Sequence, residues 1–146
     1  MTEDAWVDDL HPEAFKTLVE GVPAILYIDR PDEPSTNLYT SPQIEPILGF
    51  KIDEWRDDPE LWRKQLHPDD FEHALETHRL SNEAASPYLD EYRIRTKDGR
   101  TIWIRDQAWP VLADDGTVLF WRGVMLDITE RKEAENKLRW SLDVLR

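Results

Sequence analysis

Side chains that carry enzyme chemistry form no catalytic motif in this sequence. The chain of 146 residues contains no Cys, which excludes disulfides, thiol nucleophiles, iron–sulfur clusters and Cys-ligated zinc. It has no glycine-rich phosphate or dinucleotide loop, no HExxH motif and no GxSxG motif, and its five Gly are isolated. The 31 Asp and Glu, set against 18 Lys and Arg, are expected to form a solvated surface. We therefore predict that the chain is not an enzyme and binds no metal.

The charge of the chain argues against nucleic acid and anionic lipid as partners. A formal net charge of −13 repels phosphates and leaves few cationic groups to displace counterions. Residues 1–11 are acidic and are expected to be flexible, with no feature of a signal or transit peptide. No stretch approaches the roughly 18 apolar residues of a membrane span. We expect a cytoplasmic protein without direct membrane insertion.

The first half of the sequence predicts helices and two short strands. Residues 12–20, 42–48 and 68–81 have helix-start signals or helical periodicity, and residues 24–28 and 37–40 suit strands. The longest of these helices carries a mostly apolar face. That face is formed by residues spaced i, i+3, i+4 and i+7: Phe71, Ala74, Leu75 and His78.

After residue 87 the hydrophobic period changes from 3.6 to 2, which indicates three strands over residues 88–95, 102–112 and 118–126. The turns between them contain Asp-Gly, a hairpin signal. Pro110 requires a sheet edge or a bulge, and the continuously apolar last strand suits a central position. The segregation of helices from strands predicts an α+β fold, with helices on one face of an antiparallel sheet.

The segment 127–146 predicts one more helix, without Gly or Pro. Asp127 and Glu130 have the spacing of a capping box. Arg131 and Glu135 interrupt the first half of a coiled-coil seam. The seam residues, spaced alternately by three and four, are Ile128, Leu138, Leu142 and Leu145. Since the pattern stops without a cap, we expect this helix to continue in a longer protein.

Several short motifs are each weak alone, but their order and spacing together are specific for one protein family. The motifs are Tyr39-Thr40-Ser41-Pro42, Leu48-Gly49-Phe50, His67-Pro68-Asp69-Asp70, Glu91-Tyr92-Arg93, Lys97-Asp98-Gly99, Trp103-Ile104, Asp115-Gly116, Gly123 and Asp127-Ile128-Thr129-Glu130-Arg131-Lys132. Taken together, residues 15–131 resemble a PAS domain of the kind common in bacterial signalling proteins, with a C-terminal PAC-type motif.

This resemblance implies a five-stranded antiparallel sheet in the order 2-1-5-4-3, with helices over one face enclosing a small cavity. It implies a PAS-like sensory domain over residues 12–127 and the start of a signalling helix or coiled coil over 128–146. The function implied is a sensory or dimerising input module. Its output domain would be a histidine kinase of a two-component system, a diguanylate cyclase or a phosphodiesterase. The alternatives are a ligand-free docking or dimerisation module, and a haem or flavin sensor of redox state or gas.

The segment from Asp127 to Arg131 resembles the point at which PAS domains pass into their signalling helix. In that family Asp127 and Arg131 would pair across the junction, and their i, i+4 spacing independently allows this contact. We therefore take Asp127, Thr129 and Arg131 as the candidate residues of the signal relay. The alternative is a solvated ion pair of about 0.3–0.5 kcal/mol at most.

The cofactors of PAS-like domains can be tested against the sequence one by one. The absence of Cys excludes flavin chemistry through a cysteinyl adduct and any thioester-linked chromophore. Haem needs an axial ligand, for which His78 on the apolar helix face is the geometric choice, since His73 lies about 140° away; otherwise His78 is hydrogen-bonded at the helix surface. A non-covalent flavin could stack on Trp103, Trp109 or Trp121, although Trp in strands is more often core or sheet surface.

A small apolar or weakly polar ligand would need only a cavity between the first strand, the long helix and the sheet. The candidate lining residues are Ile25, Leu26, Phe71, Leu75, His78 and Ile104. Such a pocket would be apolar with few polar anchors. The alternative is that these side chains fill the space between them, as in most protein interiors.

A Trp-rich sheet face is the candidate dimer interface. Trp103 and Trp109 share parity within their strand, and the strand register decides whether Trp121 joins them. Such a face is too apolar to remain in water, so the N-terminal helix or a second copy should cover it. With the C-terminal helix, the candidate interface residues are Phe15, Leu18, Val19, Trp103, Trp109, Trp121, Leu138, Leu142 and Leu145. We favour a homodimer over a monomer with an amphipathic tail.

Overall fold

The chain folds as a five-stranded sheet with helices on one face. The computed structural model describes residues 12–32 and 35–145, so the predicted flexible segment 1–11 lies outside the described residues. The helices are α1 (Pro12–Glu20), α2 (Ile44–Leu48), α3 (Ile52–Asp57), α4 (Leu61–Gln65), α5 (Pro68–Ala84) and α6 (Thr129–Val144), and the strands are β1 (Ile25–Asp29), β2 (Asn37–Thr40), β3 (Tyr88–Arg95), β4 (Thr101–Leu112) and β5 (Val118–Asp127). The predicted fold class is confirmed.

The sheet has the strand order β2-β1-β5-β4-β3, and every neighbouring pair is antiparallel. The apolar strand β5 is central, as its composition predicts. Pro110 lies past Ala108, the last residue of β4 that pairs with β3. At that point β4 is an edge strand towards β3, so a residue without an N–H is tolerated.

Alternation along the strands separates an inner, helix-covered face from an outer face. On β4, Ile102, Ile104, Asp106 and Ala108 are buried, whereas the residues between them are half-buried or exposed. The inner side chains join helix residues in one core, which comprises Ile25, Ile44, Leu48, Phe50, Leu66, Ala74, Tyr92, Ile94, Ile102, Ile104 and Met125. Each large apolar side chain fully buried there contributes about 1.5–3 kcal/mol.

Helix α5 begins at the predicted residue and runs further than predicted. Pro68 occupies its first turn, and the Nδ1 atom of His67 accepts a hydrogen bond from the Asp69 N–H at 3.1 Å. The prediction ends the helix near Ser81, but no Gly or Pro follows before Pro87. The helix therefore continues to Ala84, where Ala85 takes a left-handed conformation and caps it.

Residues 52–65 form two short helices, α3 and α4, in a segment for which the sequence analysis predicts no helix. Their residues Ile52, Trp55, Leu61 and Trp62 pack against the core. Segments of five or six residues carry too little periodicity to be recognised as helices, and tertiary packing stabilises them. None of the helices in the described ranges combines the length and the apolar composition needed to cross a membrane.

Candidate functional site

A cavity of about 240 Å³ lies between the inner face of the sheet and the helices. Its floor comes from three strands: Ile25, Tyr27 and Asp29 of β1, Asp106 of β4 and Met125 of β5. The β1–β2 connection and the start of β2 contribute Ser35, Thr36 and Asn37. The other lining residues come from helices α3, α4 and α5 and from the link between α3 and α4, namely Trp55, Arg56, Asp58, Pro59, Trp62, Arg63 and His78. The volume falls below the roughly 300–1,000 Å³ of pockets for drug-sized ligands, so the site suits a small molecule.

A glycine on the central strand makes room for the aromatic floor of the cavity. Gly123 lies opposite Tyr27 in the β1–β5 register. A Cβ atom at Gly123 would lie 2.2 Å from the Cζ atom of Tyr27 and 2.4 Å from its hydroxyl oxygen. The Tyr27 ring therefore rests directly on the backbone of β5, which only glycine permits. This position brings the Tyr27 hydroxyl to Asp106.

Asp106 is a buried carboxylate at the centre of a polar network. Its side chain accepts hydrogen bonds from the Tyr27 hydroxyl at 2.6 Å and the Tyr92 hydroxyl at 2.7 Å. The indole N–H of Trp62 donates to the Tyr92 hydroxyl at 2.9 Å. Burial raises the pKa of Asp106 to about 6, although the two tyrosine hydrogen bonds act in the opposite direction. All buried side-chain polar groups of this network have a partner, which fixes the ring positions.

Asp29 is the second carboxylate of the cavity. Its Oδ1 atom accepts a hydrogen bond from the Asn37 amide at 2.9 Å. Burial raises the pKa of Asp29 to about 7; the Asn37 bond counteracts this rise, and the charges of Asp106 and Asp32 add to it. Within the part of the chain that the structure describes, no Lys or Arg forms an ion pair with Asp29 or Asp106.

Two arginines line the solvent side of the cavity. Arg56 is exposed. The side chain of Arg63 is 34% exposed, and its guanidinium lies 3.7 Å from a carboxylate oxygen of Glu60. Asp58, beside them, binds the Lys64 ammonium at 2.9 Å. Arg63 and Asp58 therefore each lie close to a group of opposite charge, whereas the carboxylates at the cavity floor form no ion pair among the described residues.

The structure brings together only part of the predicted pocket. Ile25 and His78 line the cavity, and Leu26, Phe71, Leu75 and Ile104 do not. Leu26 alternates to the outer face, because its neighbours Ile25 and Tyr27 point inwards. Ile104 is fully buried in the packed core, and Phe71 and Leu75 lie on α5 one or two turns before His78. Each of these four assignments to the lining is corrected.

The sequence analysis missed the carboxylates and aromatic rings that dominate the lining. Asp106 offered a signal, because it stands between Ile104 and Ala108 at an inward-facing position of an alternating strand. A carboxylate at such a position needs polar partners. Trp55 and Trp62 offered no comparable signal, since their short helices are not evident in the sequence.

The two candidate haem ligands occupy different environments. The His78 ring lies 5.7 Å from that of Trp62 and 5.6 Å from that of Tyr88, measured between centroids. Its Nδ1 atom is 3.1 Å from the Asn82 amide nitrogen. The side chain of His73 is 76% exposed, with Nδ1 3.6 Å from a carboxylate oxygen of Asp90, and His73 is not a lining residue. Of the two, only His78 reaches the cavity.

A second constellation forms the junction between β5 and α6, which we define as residues 127–132. The Asp127 carboxylate accepts hydrogen bonds from the N–H and the hydroxyl of Thr129, at 3.0 and 2.6 Å. The Thr129 Oγ1 atom accepts from the Trp103 N–H at 3.0 Å, and the Ile128 N–H donates to the Trp103 carbonyl at 2.9 Å. The helix begins at Thr129 without a side-chain cap, so the predicted capping box of Asp127 and Glu130 is wrong.

Glu91 of β3 holds the first turn of α6. Its carboxylate lies 2.6 Å from the Arg131 guanidinium and 2.9 Å from the Lys132 ammonium. These hydrogen bonds, led by that of Lys132, lower the pKa of Glu91. Arg131 also lies 3.4 Å from Glu135. The implied pair of Asp127 with Arg131 does not form, because Thr129 occupies the Asp127 carboxylate and Arg131 turns towards Glu91.

The Trp103 ring connects this junction to the start of α5. The Arg93 guanidinium lies 5.1 Å and the Lys132 ammonium 5.0 Å from the centroid of the ring, both within cation–π range. Arg93 in turn binds the Asp70 carboxylate through two hydrogen bonds of 2.8 and 2.9 Å. A continuous set of contacts therefore links Asp70 on α5 to Lys132 on α6.

The strand register divides the tryptophans proposed for the dimer interface. Trp103 and Trp109 share the outer face, as their parity predicts. Trp121 pairs with Asp29 and Pro110 and is 6% exposed on the inner face, so it is not available to an outer interface. The remaining candidates stay largely uncovered: Phe15, Leu18, Leu138, Leu142 and Leu145 are exposed, and Val19 is half-buried.

Comparison with known proteins finds relatives of this fold among much longer chains. Protein y4lL of Sinorhizobium fredii, described as uncharacterised, is 36% identical over 76 residues, which cover 52% of this chain and 9% of that protein. The methyl sulfide methyltransferase-associated sensor of Methanosarcina acetivorans is 27% identical over 89 residues, or 60% of this chain and 9% of the sensor. The chain thus spans about a tenth of the length of these relatives.

Two solved structures cover more of the chain. A sensory box histidine kinase/response regulator from Burkholderia thailandensis has 30% identity and a TM-score of 0.71, covering 90% of this chain and 97% of that one. The N-terminal domain of a diguanylate cyclase with a PAS/PAC sensor from Marinobacter aquaeolei has 30% identity and a TM-score of 0.69, covering 75% of this chain and 98% of that one. The family model described as PAS fold matches residues 37–125. With its sheet order, its cavity under the helices and this match over more than half of its length, the chain belongs to the PAS-fold family.

Proposed function

We propose that this chain is the sensory input module of a bacterial signalling protein. In this proposal residues 12–127 form the sensory domain, a small ligand occupies the cavity, and residues 128–146 begin the helix that carries the signal. The names of the similar proteins, which include a sensor, a histidine kinase and a diguanylate cyclase, support a signalling role. The output domain would be of one of the latter two kinds.

One observation carries the proposal: the helix that lines the cavity is joined to the helix that leaves the domain. His78 of α5 lines the cavity, and Asp70 at the other end of α5 binds Arg93. Arg93 and Lys132 approach the Trp103 ring. A shift of α5 on ligand binding would therefore alter the contacts of α6, which is a two-state coupling of the kind that signalling requires.

A double-variant experiment tests this relay. Met125→Phe fills part of the cavity, and its effect on the backbone NMR signals of residues 133–136 in α6 is measured with and without Glu91→Gln. We expect the cavity substitution to shift these signals in the parent chain. In the Glu91→Gln chain the shift should be at least about threefold smaller, because Glu91 holds Lys132, the last residue of the link, in place.

The matched control is Glu76→Gln, which removes an ion pair within α5 and should leave the effect intact. Ile25→Phe serves as a second cavity filler if Met125→Phe does not fold, as judged by circular dichroism. The same shift with and without Glu91→Gln, or no shift in the parent chain, would contradict the relay.

We further propose that the module works as a homodimer. The seam residues Leu138, Leu142 and Leu145 are exposed on α6, and a parallel or antiparallel partner helix would cover them. Light scattering should give twice the chain mass of 17.3 kDa for the parent chain and a lower mass for the Leu138→Asp, Leu142→Asp variant. Lys137→Asp, off the seam, is the control. A monomeric parent chain would refute the proposal.

A further inference from the structure

The cavity walls combine rings and carboxylates in a way that selects ligand chemistry. Tyr27, Trp55 and Trp62 contribute three aromatic side chains to a lining that also holds Asp29 and Asp106. The face of an aromatic ring attracts cations through its quadrupole, with Trp the strongest. Rings and acids thus favour the same sign of charge.

The two carboxylates differ in their capacity for a further partner. Both oxygens of Asp106 already accept tyrosine hydroxyls. Among the described residues, Asp29 accepts one hydrogen bond, from Asn37, and an ionised carboxylate accepts more than one. Asp29 is therefore the group that would contact a ligand, while Asp106, which is hydrogen-bonded to the Tyr27 hydroxyl, adds negative potential to the lining.

The basic residues of the lining leave this acidic floor unneutralised. Arg63 lies beside Glu60, and Arg56 is exposed. Across the described ranges, neither arginine forms an ion pair with Asp29 or Asp106. The pKa of Asp29 is raised to about 7 chiefly by burial, which is the signature of a carboxylate whose charge lacks a cation.

The composition of the walls favours an organic cation over a metal ion. Calcium takes six to eight oxygen ligands, and magnesium needs near-octahedral oxygen geometry. Here much of the lining is aromatic or apolar, with Ile25, Met125 and Pro59 beside the three rings. A volume of about 240 Å³ admits a small molecule that can bury a charged nitrogen among rings.

We propose that the cavity binds a small organic ammonium ion, with Asp29 as its counter-charge and with Tyr27, Trp55 and Trp62 as the rings around its nitrogen. This inference rests on the proposed sensory function and names the chemical class of the ligand. Specificity would arise because a neutral molecule of the same shape gains neither the ring–cation attraction nor the Asp29 contact.

A pair of probes that differ only in charge tests the inference. Choline and its neutral carbon isostere 3,3-dimethylbutan-1-ol are titrated into the full chain, and binding is followed by calorimetry and by the NMR signal of the Trp62 indole N–H. We expect choline to bind at least about tenfold more tightly than the isostere.

Variants then assign the effect to the named groups. Asn at position 29 keeps the shape and removes the charge, so Asp29→Asn should weaken choline binding about tenfold and leave the isostere unchanged. Trp55→Leu should also weaken choline more than the isostere, and it provides a second test if Asp29→Asn fails to fold. Asp115→Asn, in the exposed turn before β5, is the matched control and should change neither affinity.

Three results would overturn the inference. If the isostere binds as tightly as choline, or if Asp29→Asn binds choline like the parent chain, the cavity accepts ligands without regard to charge; the ammonium assignment then fails while the sensory proposal stands. If neither probe perturbs Trp62, the assignment also fails. The relay experiment with Glu91→Gln uses no ligand, so its outcome decides the sensory function separately.

Discussion

The pKa values of carboxylates in two regions of this molecule are shifted in opposite directions. At the cavity floor, Asp106 and Asp29 face hydroxyl, amide and aromatic groups, and burial raises their pKa values to about 6 and about 7. At the junction, Glu91 binds Arg131 and Lys132 near solvent, and its pKa is lowered. The pKa of the same functional group is thus raised in one region and lowered in the other.

The difference shows how the fold separates detection from transmission. An acid that lacks a cation lowers stability when it ionises, which is a cost that proteins tolerate mainly at functional sites. Acids with cation partners hold elements together at modest gain. Strand β4 joins the two regions, since Asp106 points inwards to the cavity and Trp103 outwards to the junction. Four predictions test this contrast.

The largest expected effect is at the contact that aligns the cavity network. Gly123→Ala would place a methyl group against the Tyr27 ring, displace it and break its bond to Asp106. We expect a loss of about 2–4 kcal/mol in the free energy of unfolding, measured in urea. The Gly123→Ala, Tyr27→Ala double variant should lose less than the sum of its single changes. Strict additivity would show that the ring does not rest on Gly123.

The pH dependence of stability should differ between the two regions. The folded pKa values of Asp106 and Asp29 lie above the unfolded value of 3.8, so the folded chain binds more protons between about pH 4 and pH 7. Their contribution to the free energy of unfolding is present at the acid end of this range and is lost as pH rises through 6 and 7. The loss amounts to up to about 1.4 kcal/mol per pH unit for each carboxyl.

Glu91 acts in the other direction. Its folded pKa lies below the unfolded value of 4.5, so its contribution is present above that value and is lost as pH falls through the folded pKa. Urea denaturation measured as a function of pH should show that the free energy of unfolding falls less steeply above pH 5 in Asp106→Asn and in Asp29→Asn than in the parent chain. If the slope of the free energy of unfolding against pH is unchanged in both variants, the contrast between the cavity carboxylates and Glu91 is refuted.

A smaller effect is expected from a single hydroxyl of the network. Tyr92→Phe deprives Asp106 of one donor and the Trp62 indole N–H of its acceptor. We expect a loss of about 1–2 kcal/mol in the free energy of unfolding, measured in urea. Tyr39→Phe makes the same change at an exposed tyrosine of β2 and should stay within about 0.5 kcal/mol. Equal losses in the two variants would mean that the buried network does not contribute specifically.

The smallest effect is expected at the junction. Lys132→Met keeps the apolar part of the side chain and removes its contacts with Glu91 and the Trp103 ring. We expect about 1 kcal/mol of lost local stability, seen as roughly fivefold faster hydrogen exchange in the first turn of α6. Lys137→Met is the matched control. No change in exchange would show that Lys132 does not tie α6 to the sheet.

Much of the architecture followed from local patterns. The period-2 strands 88–95 and 118–126, the Asp-Gly turns and the start of α5 at Pro68 were predicted closely, because each depends on residues that are near in sequence. Helices α3 and α4 were missed, since short helices are stabilised by what they pack against. The register that turns Trp121 inwards and the partner of Arg131 depend on pairings between distant segments.

The candidate site was predicted less well than the fold. Of the proposed lining, Ile25 and His78 reach the cavity, because the sequence identifies which faces are buried but not where packing leaves space. Asp106 and Tyr27 are 79 positions apart, and only the β1–β5–β4 pairing brings them within hydrogen-bonding distance.

The sequence by itself determined the fold class, the strand order through its family motifs, and the exclusion of every chemistry that needs a cysteine. The tertiary structure alone decided which acids meet which partners. Secondary structure depends on periodicity within a few residues, which the chain displays directly. The partner and the solvation of a carboxylate depend on strand register and on helix packing over the whole domain, and these set its charge.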